Sequence, residues 1–373
     1  EEIAIFADAV GKFYQQHAPE KRVLKWREDG QVERDFWREA GQAGLLGVSV
    51  PSEYGGHGGD FRHEMVVIDQ QAQHGVEGFA ASLHNTVILP YLVRHGTEEQ
   101  KLKYLPKLVS GELVSAIAMT EPGVGSDLQS ITTTALKDGN GYRINGAKTY
   151  ISNGQTADFI IVVAKTDPNE RAKGISLMLL ETDGAEGFQR GKKLDKIGMD
   201  AADTSELFFD NVFVPAENVL GGVEGKGFYQ LMGELPQERL IIAMGAMTGI
   251  EKALETTMEF VKSRKAFGQT IWDFQNTQFV LADLKARGTA ARVFVNDCIA
   301  RHLKGELDVA TACMAKYWVT ELQGEVVDKC LQFHGGAGFI NDYPIARMFR
   351  DSRVTRIFGG SNEVMKMVIA RSM

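Results

Sequence analysis

The chain has 373 residues, of which 44% are hydrophobic and 24% charged, and its formal net charge is -8. This length is enough for two or three domains with a large core, and the composition is typical of a globular protein. The acidic balance argues against a nucleic-acid partner, and no apolar run reaches the ~18 residues that an integral membrane segment requires.

Residues 1–112 have the sequence pattern of helices. Apolar residues recur every three or four positions from Ile3 to Phe13, which gives the first segment one apolar helix face. Farther along, Thr97 is followed three positions later by Gln100, which is the pattern of a capping box at a helix start. We therefore predict an N-terminal helical domain.

Residues 113–222 consist of short alternating segments separated by turn residues. An apolar run, Leu113–Met119, reads as a buried strand, and further strands are predicted at Ile131–Leu136, Tyr142–Ile151, Phe159–Ala164, Ile175–Leu180 and Glu206–Phe209. The dipeptide Asn140-Gly141 is a strong hairpin signal. Regular short strands of this kind predict a middle domain that is an antiparallel β-barrel or sandwich.

Residues 223–373 return to long amphipathic helices. These are predicted at Phe228–Ser263, Phe274–Lys304, Val309–Gly335, Tyr343–Arg353 and Glu363–Arg371. Long helices joined by short connections favour an antiparallel four-helix bundle. The expected fold class is therefore α+β, with domains at 1–112, 113–222 and 223–373.

The cysteines and histidines give no sign of a metal site. Cys298, Cys313 and Cys330 form no C-x-x-C pair, and the eight histidines lie in no ligand cluster. A sparse, odd cysteine count suits buried thiols in a reducing compartment. His84, within a long apolar segment, is interpreted as a packed core histidine, and we predict no metal.

The stretch Ala118–Asp127 combines the end of a predicted strand with a glycine-rich turn. It reads Ala-Met-Thr-Glu-Pro-Gly-Val-Gly-Ser-Asp. Glycines allow backbone N–H groups to converge on an electron-rich ligand. Two other interpretations stay open at this point: Ser126 or Asp127 could cap a following helix, or the stretch could be an ordinary turn between strands.

Several further stretches, together with this one, resemble the acyl-CoA dehydrogenase family almost from end to end. They are Lys148–Gly154 (KTYISNG), Leu235–Leu240 (LPQERL), Arg264–Gln269, Gln332–Gly336 and Ile357–Glu363. The LPQERL string is most similar to long-chain members. The resemblance implies a flavoprotein with helical N- and C-terminal domains around a middle β domain.

The resemblance also implies FAD contacts from the β domain and from the C-terminal helices. The implied FAD contacts are Met119, Thr120, Gly125, Ser126, Tyr150, Ile151, Ser152, Arg264, Phe267, Gln275, Gln332, Gly335, Gly336, Ser361, Asn362 and Glu363. Without the resemblance, Tyr150 would be interpreted as a tyrosine packed in a sheet and Arg264 as a solvated charge. Glu363 is read as a helix-start residue near the flavin.

Glu238 is implied to be the catalytic base. In short- and medium-chain members a Glu at the place of Gly359 serves as the base, whereas long-chain and isovaleryl-type members have it at the place of Glu238. Gly359 keeps its backbone N–H, which in the family binds the thioester carbonyl. Without the resemblance, Glu238 would read as a surface carboxylate or as the partner of Arg239.

The residues implied to contact the acyl-CoA include Gly359 itself. They are Ser126, Tyr229, Arg239, Gly359, Gly360 and, near the adenosine end, Lys173. The resemblance further implies a homo-oligomer, in most members a homotetramer, and electron-transferring flavoprotein as the electron acceptor. A bacterial cytoplasm is the expected compartment, with a mitochondrial matrix as the alternative.

The expected function is FAD-dependent α,β-dehydrogenation of a long-chain fatty acyl-CoA to the trans-2-enoyl-CoA in fatty acid β-oxidation. The main alternative is an isovaleryl-type enzyme for branched short chains. A flavin oxidase or monooxygenase and a non-catalytic helical interaction protein on the same fold are the remaining alternatives.

Overall fold

The computed structural model describes residues 1–373, which form two compact units. The first unit comprises Glu1–Val67, Val76–Lys196 and Asp200–Leu235, and the second comprises Ile68–Gly75, Ile197–Met199 and Pro236–Met373. Helical N- and C-terminal regions and a β-sheet in the middle of the chain confirm the predicted fold class. The division into three domains at residues 112 and 222 stays a prediction.

Helices occupy both ends of the chain. In the N-terminal region they are α1 (Glu2–His17), α2 (Glu20–Asp29), α3 (Arg34–Gln42), α4 (Phe61–Gln73), α5 (Ala81–Leu83), α6 (Leu89–His95) and α7 (Glu98–Val109), and in the C-terminal region α8 (Gly227–Ser263), α9 (Gln275–Leu303), α10 (Val309–Phe333), α11 (Pro344–Ser352) and α12 (Asn362–Ser372). The predicted capping box is confirmed, because Thr97 Oγ1 accepts from Gln100 N and Gln100 Oε1 accepts from Thr97 N. None of the helices combines the length and the apolar character needed to cross a lipid bilayer.

The strands form one seven-stranded sheet and a small separate hairpin. The sheet strands are β1 (Ser115–Ala118), β2 (Thr134–Asp138), β3 (Gly141–Ser152), β4 (Phe159–Lys165), β5 (Ile175–Glu181), β6 (Phe188–Lys193) and β7 (Thr204–Pro215), and the hairpin strands are β8 (Lys265–Ala266) and β9 (Gln269–Thr270). The order is β1-β4-β2-β3-β7-β6, with β5 paired to β4. Most pairings are antiparallel as predicted, but β1 and β2 both pair with β4 in parallel.

The predicted hairpin joins β2 and β3, one residue earlier than the dipeptide signal placed it. Asp138 pairs with Gly141, so the two connecting residues are Gly139 and Asn140. Gly139 has φ of +59°. A glycine at the first position of a two-residue hairpin turn supplies this left-handed backbone without a steric cost.

His84 is a core histidine, as its apolar surroundings predicted. The ring is fully buried, its Nε2 lies 2.9 Å from the carbonyl oxygen of Leu108, and its Nδ1 lies 2.7 Å from Ser115 Oγ. Burial lowers the pKa of His84 to about 4. The imidazole is therefore neutral at physiological pH and connects α7 to β1.

Helix α10 is the central helix of the second unit. It packs against α9, α11 and α12. Arg287 on α9 donates to Glu325 on α10 at 2.8 Å, and Arg292 on α9 donates to Glu251 on α8 at 2.9 Å. The three cysteines are buried free thiols, as predicted.

A buried ion pair connects β3 of the first unit to the segment that follows β1. Lys148 is 0% exposed, and its Nζ donates to Glu121 Oε1 at 3.0 Å and to the carbonyl oxygen of Met119 at 2.8 Å. The Glu121 carboxylate also accepts from the backbone N–H groups of Thr132 and Thr133. Burial lowers the pKa of Lys148 to about 8, whereas the cation and the N–H donors hold the pKa of Glu121 at about 2. Both groups are thus charged at neutral pH.

We expect Lys148→Met to destabilise the fold by about 3–5 kcal/mol, because it leaves the Glu121 carboxylate buried without its cation. Chemical denaturation measures this change. Lys137→Met is the matched control: Lys137 is exposed, bonds to Glu224 at 2.8 Å, and should cost no more than ~1 kcal/mol. Equal losses in the two variants would contradict the assignment.

The pair should also give the stability a pH dependence. The folded-state pKa of Glu121, about 2, lies below its ordinary value of 4.5. The stabilisation is therefore complete above pH 4.5 and is lost as the pH falls toward 2. Comparing acid unfolding of the wild type with that of Glu121→Gln should show that the variant lacks this acid-sensitive part.

Candidate active site

The segment after β1 in the first unit turns sharply and leaves its glycines open. Backbone hydrogen bonds in both directions between Glu121 and Val124, 2.9 and 3.1 Å long, close the turn. A Cβ atom added at Gly123 or Gly125 would meet no atom within 4 Å, and Ser126 is exposed. The turn therefore has room for an electron-rich ligand beside its N–H groups.

Tyr150 occupies a strained position on β3. The register of β3 against β7 shifts between Lys148 and Ile151, and Tyr150, inside this irregularity, has φ of +59° and is 69% exposed. A left-handed backbone costs a non-glycine residue on the order of 1–2 kcal/mol, and such strain concentrates at functional sites. Ser152 is also exposed, whereas the side chain of Ile151 is buried, so Ile151 offers only its backbone.

The two flavin candidates of the first unit lie side by side. The backbone N–H of Thr149 donates to the carbonyl oxygen of Thr120 at 2.9 Å, so the turn runs next to the end of β3. This arrangement brings an exposed aromatic ring and the hydroxyls of Thr120 and Ser152 into neighbouring segments. A flat heterocycle with polar edges needs this combination of a stacking surface and hydrogen-bond donors, so the residues fit the isoalloxazine of FAD.

Lys173 and Tyr229, predicted to contact the CoA part of the substrate, lie on neighbouring segments of the first unit. Lys173 is exposed just before β5, and Tyr229 is exposed in the first turn of α8. A Cβ atom on Gly225 would lie 2.4 Å from the carbonyl oxygen of Lys173. The segment just before α8 thus packs closely on the turn before β5, and a glycine at position 225 permits this approach.

Glu238 lies about three turns into α8. Its side chain is 8% exposed and belongs to the second unit. Ile242 follows one helical turn later, and residues four apart lie on the same helix face. The carboxylate is therefore held in a largely water-excluded environment on the face that carries Ile242.

A side chain at Gly359 would displace Ile242. Its φ is +63°, and a Cβ atom added there would lie 2.2 Å from Ile242 Cδ1. The next residue, Gly360, has φ of +90°. A carboxylate at position 359 is thus disfavoured by the backbone and by Ile242, while the N–H of Gly359 remains on an exposed loop residue.

Arg239 is directed into the helical bundle. It is buried, its Nη1 donates to Cys313 Sγ at 3.2 Å, and its Nε has no hydrogen-bond partner. Neighbouring Gln237 bonds to His302 at 3.1 Å. The predicted contact of Arg239 with substrate stays a prediction.

Most of the FAD contacts predicted in the second unit are exposed. The exposed ones are Arg264, Phe267, Gln275, Gln332, Gly335, Gly336 and Glu363. Phe267 lies at the tip of the β8–β9 hairpin, 96% exposed, with φ of +52°. Exposed residues can be reached by a cofactor, but this role stays a prediction.

Ser361 and Asn362 begin α12. The Ser361 hydroxyl accepts from Val364 N at 3.4 Å, so it caps the helix, and Glu363 lies in the first turn, as its helix-start interpretation predicted. Asn362 is buried, and its amide is engaged by α10. Asn362 is therefore placed to shape the loop rather than to offer its side chain to a ligand.

Sequence reasoning missed four residues that shape these segments. They are Glu121, Lys148, Ile242 and Lys316, and each acts through contacts between segments distant in the sequence. A signal was present for the lysines: Lys148 lies in a predicted strand and Lys316 lies on the apolar face of a predicted helix. A charged residue at a core position implies a buried partner.

Three domain models of one protein family match the chain in succession. They are acyl-CoA dehydrogenase, N-terminal domain, at residues 1–112, the middle domain at 116–212, and the C-terminal domain at 225–373. The long-chain specific acyl-CoA dehydrogenase, mitochondrial, of Sus scrofa is 46% identical over 371 residues, which covers 99% of this chain and 86% of that protein. The isovaleryl-CoA dehydrogenase, mitochondrial, of Pongo abelii is 39% identical, with 97% and 86% covered.

A solved structure agrees with these matches. The crystal structure of acyl-CoA dehydrogenase from Geobacillus kaustophilus superimposes with a TM-score of 0.97 at 45% sequence identity. The match covers 100% of this chain and 98% of that chain. The sequence similarity and the fold therefore lead to the same family.

Proposed function

Because the chain belongs to the acyl-CoA dehydrogenase family, whose members depend on FAD, we propose that it dehydrogenates a long-chain fatty acyl-CoA to the trans-2-enoyl-CoA. The observation that carries the proposal is the buried carboxylate of Glu238, with Ile242 Cδ1 2.2 Å from the place of a Cβ atom at Gly359. When bound, FAD accepts the β-hydrogen as a hydride.

Glu238 acts as the general base in this proposal. It accepts the α-proton of the thioester, and the largely buried position keeps water away from the carboxylate. Removing this proton places negative charge on the thioester carbonyl oxygen. The N–H of Gly359 donates to that oxygen, because a fixed donor stabilises the charge as it develops.

The first unit contributes binding and orientation. Tyr150 offers an aromatic surface, and Thr120 and Ser152 offer hydroxyls for the edge of the flavin ring. The backbone N–H of Gly125, where a Cβ atom would meet open space, and the hydroxyl of the exposed Ser126 are further donors in this proposal. The strain at Tyr150 is consistent with a ring held in place before the ligand binds.

Two relatives bear on the substrate. The one named for long chains shares more identity with this chain than the one named for isovaleryl-CoA, 46% against 39%. This difference favours a long-chain substrate. Electron-transferring flavoprotein is the proposed electron acceptor and a homotetramer the proposed assembly; a bacterial cytoplasm is the proposed compartment, with a mitochondrial matrix as the alternative.

We expect Glu238→Gln to keep FAD and lose turnover by at least ~100-fold, because a glutamine cannot accept the proton. Steady-state rates with palmitoyl-CoA, normalised to bound FAD, measure this loss. Glu259→Gln on the same helix is the matched control, since Glu259 is exposed. Near-normal turnover of Glu238→Gln would rule out Glu238 as the base.

The steric relation between Gly359 and Ile242 gives a second prediction. Adding Gly359→Glu to Glu238→Gln should restore little turnover, because the new side chain collides with Ile242 Cδ1. Adding Ile242→Ala as well removes that atom and should raise the rate about tenfold, which corresponds to ~1.4 kcal/mol of relieved overpacking. The same rates with and without Ile242→Ala would show that Ile242 is no obstacle.

The substrate proposal is tested by comparing kcat/KM for palmitoyl-CoA and isovaleryl-CoA with the same enzyme preparation. We expect palmitoyl-CoA to be preferred by at least ~100-fold, because each buried methylene of the longer chain contributes about 0.8 kcal/mol. A preference for isovaleryl-CoA would assign the chain to the branched short-chain enzymes and leave the dehydrogenation itself intact.

A further inference from the structure

A lysine lies inside the bundle of the second unit without contact to solvent. Lys316 on α10 is 0% exposed, and its neighbours along the helix, Ala312, Cys313, Ala315 and Val319, are buried as well. Charged side chains are almost never fully buried unless they are paired. The hydrogen-bond partners of Lys316 therefore indicate the role of its buried charge.

Lys316 is bonded to the loop that carries Gly359. Its Nζ donates to the carbonyl oxygen of Gly360 at 2.8 Å and to Asn362 Oδ1 at 2.9 Å. The Asn362 amide in turn donates to Thr320 Oγ1 at 3.0 Å. Lys316 on α10 is thus bonded to the loop at Gly360 and to Asn362, the first residue of α12.

The loop that carries Gly359 contains two consecutive glycines, which constrain its backbone only weakly. Gly359 and Gly360 both have positive φ, with values of +63° and +90°. Glycine loses more conformational freedom on folding than any other residue, and two in succession leave the intervening peptide group free to rotate. The Gly360 carbonyl belongs to the peptide group that follows Gly360, so a bond to it from α10 fixes the end of this two-glycine segment and limits the conformations that the segment can adopt.

Placing an ammonium group here has a cost in free energy. Burial and the nearby charge of Arg239 together lower the pKa of Lys316 to about 8, although the carboxylates of Glu321 and Glu363 oppose this shift. Since the folded-state pKa lies below the ordinary 10.5, the charged form opposes folding below about pH 8, and the penalty disappears as the pH rises above it. Global stability does not account for a cation at this position.

We propose that Lys316 is a positioning residue of the dehydrogenation: by holding the Gly360 carbonyl, it orients the Gly359 N–H toward the thioester carbonyl oxygen. The inference rests on the proposed function of Gly359. The interaction matters most when the oxygen gains negative charge, because a misdirected donor then loses most of its effect.

The first test is Lys316→Met in the FAD-loaded enzyme. We expect kcat for palmitoyl-CoA to fall by about 10- to 100-fold with a smaller change in KM, since a donor aimed at the developing charge acts on the transition state. The isotope effect with α-deuterated palmitoyl-CoA should increase, because proton removal becomes more limiting. Lys329→Met is the matched control: Lys329 is on the same helix, bonds to Glu325 at 2.9 Å on the surface, and should leave both values unchanged.

A second readout does not depend on activity. Amide hydrogen exchange followed by mass spectrometry should be faster in the peptide covering residues 357–361 of Lys316→Met and unchanged elsewhere in the second unit. A Lys316→Gln variant keeps an uncharged N–H donor and should lie between Met and wild type in both exchange and rate. If Lys316→Met does not fold, Lys316→Gln provides the same test of exchange and rate.

The pH profile separates the charge from the packing. In the wild type we expect kcat to fall as the pH rises through about 8, where Lys316 loses its proton, and this limb should be missing in the Met and Gln variants. The titratable groups around Lys316 are Arg239 on α8, Cys313 and Glu321 on α10, and Glu363 on α12. Burial raises the pKa of the Cys313 thiol, and the Cys313→Ala variant should retain the limb near pH 8.

The outcomes distinguish this inference from the proposed function. Wild-type turnover together with its loss in Glu238→Gln supports the proposed function independently of Lys316. If those results hold but Lys316→Met has normal kcat and normal exchange at residues 357–361, the positioning role is wrong. A loss confined to thermal stability or FAD content would likewise overturn it and leave Lys316 a purely structural residue.

Discussion

A side chain at position 359 would require a left-handed backbone and a shift of Ile242, whose Cδ1 lies 2.2 Å from the place of a Cβ atom. Glycine carries no carboxylate, so the proton acceptor comes from another element, and Glu238 lies one turn before Ile242 on α8. A helix holds a carboxylate more rigidly than a glycine loop does. In the loop, position 359 contributes its backbone N–H donor.

In each unit a buried lysine donates a hydrogen bond to a backbone carbonyl beside a glycine-rich segment. In the first, Lys148 donates to the carbonyl of Met119 just before the glycine-rich turn; in the second, Lys316 donates to the carbonyl of Gly360. Glycine-rich segments allow close approach of a ligand but cannot hold their own conformation. A buried ammonium directed at a backbone carbonyl supplies rigidity from a neighbouring strand or helix. The free energy lost by burying the charge is the cost of that rigidity.

The parts of the fold that depend on local sequence were predictable. The capping box at Thr97, the core position of His84 and the long C-terminal helices follow from side-chain pattern alone. Strand β6 was missed because its residues, Phe188–Lys193, are mostly polar and largely exposed, so no alternation marks it. The parallel pairing of β1 with β4 was missed because it joins residues more than forty positions apart. Family motifs indicated Glu238 and Gly359 but not Ile242 or Lys316, whose roles depend on contacts between helices and a loop.

An anaerobic titration of the purified, FAD-loaded protein with palmitoyl-CoA tests the central claim most directly. We expect the visible flavin band to bleach as substrate is added, since bound FAD would take up the β-hydrogen and Glu238 the α-proton. A yellow protein whose band is unchanged by palmitoyl-CoA and by isovaleryl-CoA would contradict the assignment of these residues to acyl-CoA dehydrogenation.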